Sequence, residues 1–402
     1  MSNPIILIQA ASRAWSGAPD WCMNEIEDRP VVALTIDSAL AKFPDADIRI
    51  IAPEFDKGGR LNDIPDMFQD KKISVFYGKD DSPLDRMIEA LEGLDDDTLA
   101  VRVDGLHFAW LPEHAQHMLE TAEQDGLDCM KLPDDFPVQL SSDIYRLGAL
   151  KKAASMLSEK SDAGEFKIHP KFYMFQNNKD FKCKRYENHP PVSKEWLSQC
   201  RKTAKGVYTE DRMQADKQRA IKSGDQLTFH YELALDYISS QSTVLDCACG
   251  PGYGARILAP KAAKIIAADL DLKTVRNAAS GKYFDNITFQ TADVTALEFA
   301  ENSFDAVTSF ETVEHVDPGL YFKEMLRVIK PGGLLILSTP QNSMGQVPVN
   351  SQHLREFSLE EITTLCADKF EIVKTIGIKQ GRVVFENDPK GQNTFIVCRK
   401  PE

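Results

Sequence analysis

The stretch VLDCACGPGYG, residues 244 to 254, restricts the fold of this 402-residue chain more tightly than any other segment. A short β-branched and apolar run carries one carboxylate, Asp246, and then enters a turn built on Gly250, Gly252 and Gly254. The residues that follow, YGARILAPKA, read as a helix, so the glycines sit at a strand-to-helix junction. Such a junction lets a ligand approach backbone N–H groups at the start of a helix. Cys247 and Cys249 would share one face of the strand, but a structural zinc site needs about four ligands and usually a second pair. The eight cysteines form no CxxC spacing, so they read as small core residues or free thiols of a reducing compartment, and no metal is expected.

A dinucleotide uses the same loop geometry, and Asp246 separates the cases. A carboxylate beside the loop repels a pyrophosphate but suits a ligand carrying an ammonium and a sulfonium. S-adenosylmethionine has both charges and no phosphate. Downstream, AAKIIAADLD reads as a second buried strand ending in Asp269 and followed by Leu270. That carboxylate falls about 20 residues past the glycines, where it can accept both ribose hydroxyls. NITFQTADV is a third strand, whose Asp293 and Val294 are placed for an adenine ring. FDAVTSFETVEHV is a fourth, with Phe310 as an apolar wall, and GGLLILSTP is a fifth. The tail segments FEIVKTIGI and NTFIVCRK read as a closing antiparallel pair. Strands alternating with helices predict a doubly wound sheet with its ligand at the carboxyl ends of the strands.

These segments, VLDCACGPGYG, ADLD, TADV, FDAVTSFETVEHV and VIKPGGLLILSTP, resemble in order the motifs of class I S-adenosylmethionine-dependent methyltransferases. The likeness covers residues 226 to 402 and implies a Rossmann-like, seven-stranded methyltransferase domain. It also implies that Asp246, Gly250, Gly252 and Gly254 surround the methionine part of the cofactor. Asp269 and Leu270 would then take the ribose side, and Asp293 and Val294 the adenine.

The segment ETVEHV resembles that of small-molecule O-methyltransferases in which a Glu and a His lie near the acceptor. A hydroxyl that attacks the sulfonium must lose its proton, and a neutral histidine is the usual base near pH 7. His315 is the first candidate for catalysis, set against a plain backbone hydrogen bond at a strand end. Glu311, Glu314 and His315 also form an oxygen- and imidazole-rich set that a metal could use, set against acidic side chains that merely satisfy loop N–H groups. His353 is the second catalytic candidate, in NSQHLREFSLEE, after a loop from Pro340 to Asn350 long enough to line an acceptor pocket. Arg355 and Glu356 read as structural, and Ser358 with Glu361 predicts a helix capping box. Similar His-rich segments occur in methyltransferases of sugar metabolism, which points to a carbohydrate acceptor.

The first half reads as a separate α/β domain with strands in PIILIQAASRA, DIRIIAPE and TLAVRVDG, and helices in RPVVALTIDSALAKF and DDSPLDRMIEALEGL. The pieces ILIQAASRA, YGKDDSPLDRMIEAL, RVDGLHFAWLPE and DDFPVQLSSDIYRLGAL resemble the nucleotidyltransferase (GT-A-type) fold of sugar cytidylyltransferases of the spore-coat-polysaccharide and acylneuraminate type. The resemblance covers about residues 4 to 188, and the domain is placed at residues 1–188. Its departures are specific: Ser12 and Arg13 remain in the opening loop, but AWSGAPDWCMN supplies no lysine, and Leu106 stands where the family's metal-binding Asp falls. A magnesium ion bridging phosphates needs that carboxylate. The domain is therefore expected to be degenerate for nucleotidyl transfer while still able to bind a nucleotide, a sugar or a partner, with Arg102, Asp104, His107, Trp110 and Asp143 as binding candidates set against a plain structural role. Residues 189–225 read as a linker with helical pieces, in which GVYTEDRM, through Tyr208 or Arg212, could fold over the cofactor as a lid. His230 and Tyr231 lie on the helical stretch QLTFHYELALDYI.

A formal net charge of −14 argues against a nucleic-acid or anionic-membrane partner. No run approaches the roughly 20 apolar residues of a membrane span, and MSNPIILIQA lacks the basic start of a signal peptide. The expectation is a cytoplasmic enzyme, with room for a homo-oligomer, that O-methylates a sugar, nucleotide sugar or related small metabolite of surface-glycan biosynthesis. A bifunctional cytidylyltransferase/methyltransferase and a non-enzymatic docking module are the alternatives.

Overall fold

The computed structural model describes residues 3–13, 19–160, 163–208, 228–281, 284–345 and 348–402. Arg212, named above for a lid, lies outside these residues. The chain divides into two compact units, Met1–Asp216 with Val349–Ser351, and Lys217–Pro348 with Gln352–Glu402. Among the described residues no helix is long and apolar enough to cross a membrane.

In the first unit seven strands form one sheet: β1 (Ile5–Gln9), β2 (Asp47–Pro53), β3 (Ile73–Gly78), β4 (Leu99–Asp104), β5 (Cys129–Lys131), β6 (Asp143–Arg146) and β7 (Cys183–Arg185). Their order is β3-β2-β1-β4-β6-β5-β7. Strands β3 to β4 run parallel, and β6 runs antiparallel to both of its neighbours. Ile6, Leu7 and Ile8 of β1 are all buried, as expected for a central parallel strand covered on both faces. The order reverses between β1 and β4, so Gln9 and Asp104 stand at the sheet's switch point. A helix, Lys194–Val207, occupies the stretch read as a linker with helical pieces. Ser193 caps it by accepting from the Trp196 N–H, and Leu197, Cys200, Ala204 and Val207 form its buried stripe. The stripe packs within the first unit: Asn24 donates to the Val207 carbonyl, and a Cβ on Gly206 would collide with Ile26.

The second unit holds β8 (Thr243–Cys247), β9 (Lys264–Asp269), β10 (Ile287–Thr291), β11 (Phe304–Phe310), β12 (Ile329–Pro340), β13 (Glu371–Gln380), β14 (Val383–Val384) and β15 (Asn393–Arg399). They are ordered β10-β9-β8-β11-β12-β15-β13-β14. The first five pair in parallel, and the tail pairs antiparallel, with β15 inserted between β12 and β13. The expected count of seven strands is thereby corrected to eight among the described residues. Gly381, at φ +60°, turns the chain straight back after β13, and two valines add a short edge strand that no periodicity could announce. The capping box at Ser358 and Glu361 forms as predicted. The helix after the glycine turn is short, Tyr253–Leu258, and Pro260, which has no N–H to donate, follows its cap residue Ala259.

The helix Phe229–Ala234 lies against this sheet and buries Tyr231 and Ala234. A Cβ on Gly254 would fall inside the Tyr231 ring, so the third glycine of the turn exists to let this aromatic approach the backbone. Gly254→Ala should therefore lower stability by about 1–3 kcal/mol or more, the range for overpacking a core. Urea denaturation of the full chain measures it; an unchanged midpoint would remove this reading of the glycine.

Candidate cofactor and acceptor site

Asp246 lies one residue before the carboxyl end of β8, the strand at the switch point of the second sheet. Its side chain is fully buried. Oδ1 accepts from the Thr308 hydroxyl at 2.9 Å and from the Tyr231 hydroxyl at 3.1 Å. Oδ2, equally buried, has no partner among the described residues. Burial pushes the carboxyl up to about 7, against the pull of the two hydroxyl donors. An unsatisfied buried carboxylate oxygen is costly, and a cationic ligand group is the chemistry that would satisfy it.

The three glycines do different things. Gly250 has φ +50° with open space where a Cβ would stand, and its N–H donates to Asp269 Oδ2 at 2.9 Å. Gly252, at φ +75°, lets the Phe289 ring approach. Asp269 ends β9, and its Oδ1 accepts from the Asp271 N–H at 3.0 Å, so the carboxylate ties turn to strand while keeping lone pairs to offer. Leu270 beside it is 68% exposed. Asp293, just past β10, is exposed and held below the usual carboxylate range by Thr295, whose hydroxyl and N–H both donate to it. Val294 is buried. Phe310, expected as an open wall, sits in an aromatic core edge-on to Tyr231 at 4.7 Å and tilted over His230 at 5.6 Å. His230 is held down to about 4 by burial, hence neutral, and its Nε2 has no hydrogen-bond partner among the described residues. Burial raises the thiols of Cys247 and Cys249, as suits inert core residues.

A second cluster forms at the carboxyl ends of β11 and β12. Glu311 adopts φ +51°; its oxygens accept from Ser338 at 2.7 Å and Asn393 at 2.6 Å, and burial pushes it up to about 7. Glu314 is fully buried: Oε2 accepts from Thr339 at 2.9 Å, Oε1 has no hydrogen-bond partner among the described residues, and burial with Glu311 nearby raises the group. His315 Nδ1 donates to the Gln352 carbonyl at 3.1 Å, and its ring meets that of His353 edge-on at 4.9 Å. His353 Nδ1 lies 2.6 Å from Glu356 Oε1, and Asn342 donates to the other Glu356 oxygen at 2.9 Å. The two catalytic candidates are thus neighbours. Glu356, read as structural, orients His353, and Arg355 pairs with Glu361 at 3.3 Å and covers Phe357. Reading the sequence overlooked Thr308, Ser338, Thr339 and Asn393; the available signal was a hydroxyl or amide inside an otherwise apolar strand.

In the first unit, Arg102 donates to Gln9 at 2.7 Å, Lys171 pairs with Asp143 at 2.9 Å, and Trp110 donates to the Thr35 carbonyl. His107 Nδ1 donates to the Ser141 carbonyl at 2.9 Å, and Asp104 accepts from the Leu106 N–H. Asp56 binds the opening loop through the Ser12 N–H and hydroxyl and through Arg13. Tyr208 lies edge-on to Trp21 at 5.1 Å.

The sheet order and the acidic residues at its carboxyl edge define the second unit as a Rossmann-like, small-molecule-binding α/β domain. Residues 245–337 match the family model described as a methyltransferase domain. A "Probable S-adenosylmethionine-dependent methyltransferase" of Mycolicibacterium smegmatis is 31% identical over 159 residues, 38% of this chain and 61% of its own length. The 2-methyl-6-phytyl-1,4-hydroquinone methyltransferase of Synechocystis sp. is 37% identical over 120 residues, 29% of this chain and 38% of that one. A demethylmenaquinone methyltransferase of Clavibacter sepedonicus is 40% identical over 104 residues, 24% of this chain and 42% of that one. The chain thus spans 61% or less of these relatives' lengths. The second unit is a class I methyltransferase domain, and its cofactor is S-adenosyl-L-methionine.

Asp246 makes stability depend on pH in a defined window. Its carboxyl rises from an ordinary 3.8 to about 7 on folding, so between those values the folded chain keeps a proton the unfolded chain has released. This group's contribution to stability is full below the window, falls as pH rises through it, and is level above about 7. Without cofactor, Asp246→Asn should gain in melting temperature relative to the parent between pH 5 and pH 8. A difference that stays constant with pH would refute the buried, proton-holding state.

Proposed function

We propose that the protein transfers the methyl group of S-adenosyl-L-methionine to a hydroxyl oxygen of a small, sugar-like acceptor. The observation that carries the reading is the buried, unpartnered Oδ2 of Asp246 at the carboxyl end of the central strand, which suits the cofactor's ammonium. Gly250 leaves room for the methionine part, with Gly252 and Gly254 shaping the turn from behind. Asp269 takes the ribose hydroxyls with Leu270 flanking them, Asp293 and Val294 take the adenine, and Phe310 backs the pocket. The acceptor enters at the Glu311, Glu314, His315 and His353 cluster, where carboxylates and imidazoles offer acceptors for several hydroxyls. Because the Gln352 carbonyl fixes the His315 proton on Nδ1, Nε2 carries the lone pair that can accept the hydroxyl's proton. The oxygen then attacks the methyl carbon in line as the carbon–sulfur bond breaks, and positioning supplies much of the rate.

We assign the first unit a part in recognising the sugar and no nucleotidyl transfer, since Leu106 stands where the metal-binding carboxylate is expected and the opening loop lacks the expected lysine. A second reading, a hydroquinone-type acceptor, is supported by the names of the relatives from Synechocystis and Clavibacter.

The test is methyl-labelled S-adenosylmethionine with nucleotide sugars and, separately, hydroxylated quinols, the products identified by mass spectrometry. A labelled sugar is expected; a labelled quinol alone would replace the sugar by the second reading. Asp246→Asn should weaken cofactor binding about 10- to 100-fold at pH 8, the worth of a hydrogen bond to a charged group. His315→Ala should lose about 100- to 10,000-fold in turnover with cofactor affinity unchanged. Calorimetry that detects neither S-adenosylmethionine nor its demethylated product would end the proposal.

A further inference from the structure

We propose that Glu314, His315 and His353 bind one divalent first-row transition-metal ion, such as Mn²⁺ or Zn²⁺, which receives two adjacent hydroxyl oxygens of the acceptor. The inference rests on the reading of this cluster as the acceptor pocket and replaces its unassisted histidine base by a metal.

One ligand atom from each of the three side chains lies within 4.8 Å of the others. Glu314 Oε1 is fully buried, has no hydrogen-bond partner among the described residues, and lies 4.0 Å from His315 Nε2. Both imidazoles have Nδ1 engaged by an acceptor, the Gln352 carbonyl for His315 and the Glu356 carboxylate for His353. A ring whose Nδ1 donates carries its lone pair on Nε2, so both histidines are held in the tautomer that ligates through that atom. The His353–Glu356–Asn342 chain is the outer support that metal-binding histidines regularly have: a carboxylate on the far nitrogen, itself held by a hydrogen bond.

Two imidazoles and one carboxylate suit Mn²⁺, Fe²⁺, Co²⁺ or Zn²⁺ better than Mg²⁺ or Ca²⁺, which take mostly oxygen ligands. Three protein ligands leave coordination positions open, and a pair of neighbouring hydroxyls can fill two of them. A coordinated hydroxyl loses its proton to solvent more readily. Its oxygen then forms the bond to the methyl carbon while the carbon–sulfur bond breaks, so the sulfonium becomes the neutral thioether of S-adenosylhomocysteine. The acceptor class is thereby narrowed to compounds with vicinal hydroxyls.

The test titrates EDTA-treated full-length protein with MnCl₂ and with ZnCl₂ by calorimetry, with Mn²⁺ binding followed by electron paramagnetic resonance. One equivalent of at least one ion should bind the parent. Glu314→Gln and His353→Ala should each lose binding, Glu356→Gln should weaken it about 10- to 100-fold, and His117→Ala, altered in the first unit, should bind like the parent. Retained S-adenosylmethionine binding in each variant shows that the second unit is folded. Absence of stoichiometric binding by either ion, or equal binding by Glu314→Gln and His353→Ala, overturns the site. Methyl transfer that proceeds at full rate in excess EDTA overturns the ion's role while leaving the proposed methyltransferase activity intact. A bound ion that the variants abolish upholds the site even where no acceptor in the panel is methylated.

Discussion

The buried carboxylate of Asp246 is the constraint around which the second unit is arranged. A charge at the carboxyl end of a central strand cannot be solvated, so neighbouring elements must supply its hydrogen bonds. The Thr308 hydroxyl arrives from the adjacent parallel strand, where it is the register partner of Asp246. The Tyr231 hydroxyl arrives from a helix that crosses the turn, and it can come that close only because residue 254 has no side chain. Even so one oxygen is left without a hydrogen-bond donor among the described residues. The fold thus holds a polar atom in a state that a cationic ligand would relieve, a common arrangement where local stability is exchanged for binding.

The acceptor cluster follows the same logic with more charge. Glu311, Glu314 and Glu356 stand beside two histidines, with Glu314 fully buried and His315 exposed, and three like charges there would repel one another. Partial relief comes from donors on separate elements: Ser338 and Thr339 on β12, Asn393 on β15, and Asn342 in the loop after β12. Protons or a cation must provide the rest, which links the chemistry of this corner to the identity of its ligand. The Tyr253 hydroxyl is raised by burial and by both Asp246 and Glu311, so the cofactor-side and acceptor-side charges share one electrostatic environment.

Much of the second unit was legible before any coordinates. Its central strands are apolar runs bounded by turns, and the two tail segments read as a closing antiparallel pair although β15 is buried along most of its length rather than alternating. The glycines announced the strand-to-helix junction, though not that two of the three serve aromatic packing. The eighth strand escaped because two residues carry no period. The helix at Lys194–Val207 was partly hidden by the polar composition of its exposed face, although its buried stripe repeats at helical spacing.

The sequence by itself determined the order of strands, the carboxylates at their ends and the kind of cofactor they suit, because these depend on local periodicity and on residue chemistry at fixed offsets. Only the tertiary structure decided that Tyr231 and Thr308 share one oxygen of Asp246, that His353 meets His315, and that Glu356 orients it. Those are relations between elements far apart in the chain, set by strand register and by close backbone approach, and no local pattern encodes a distance between two side chains on different elements.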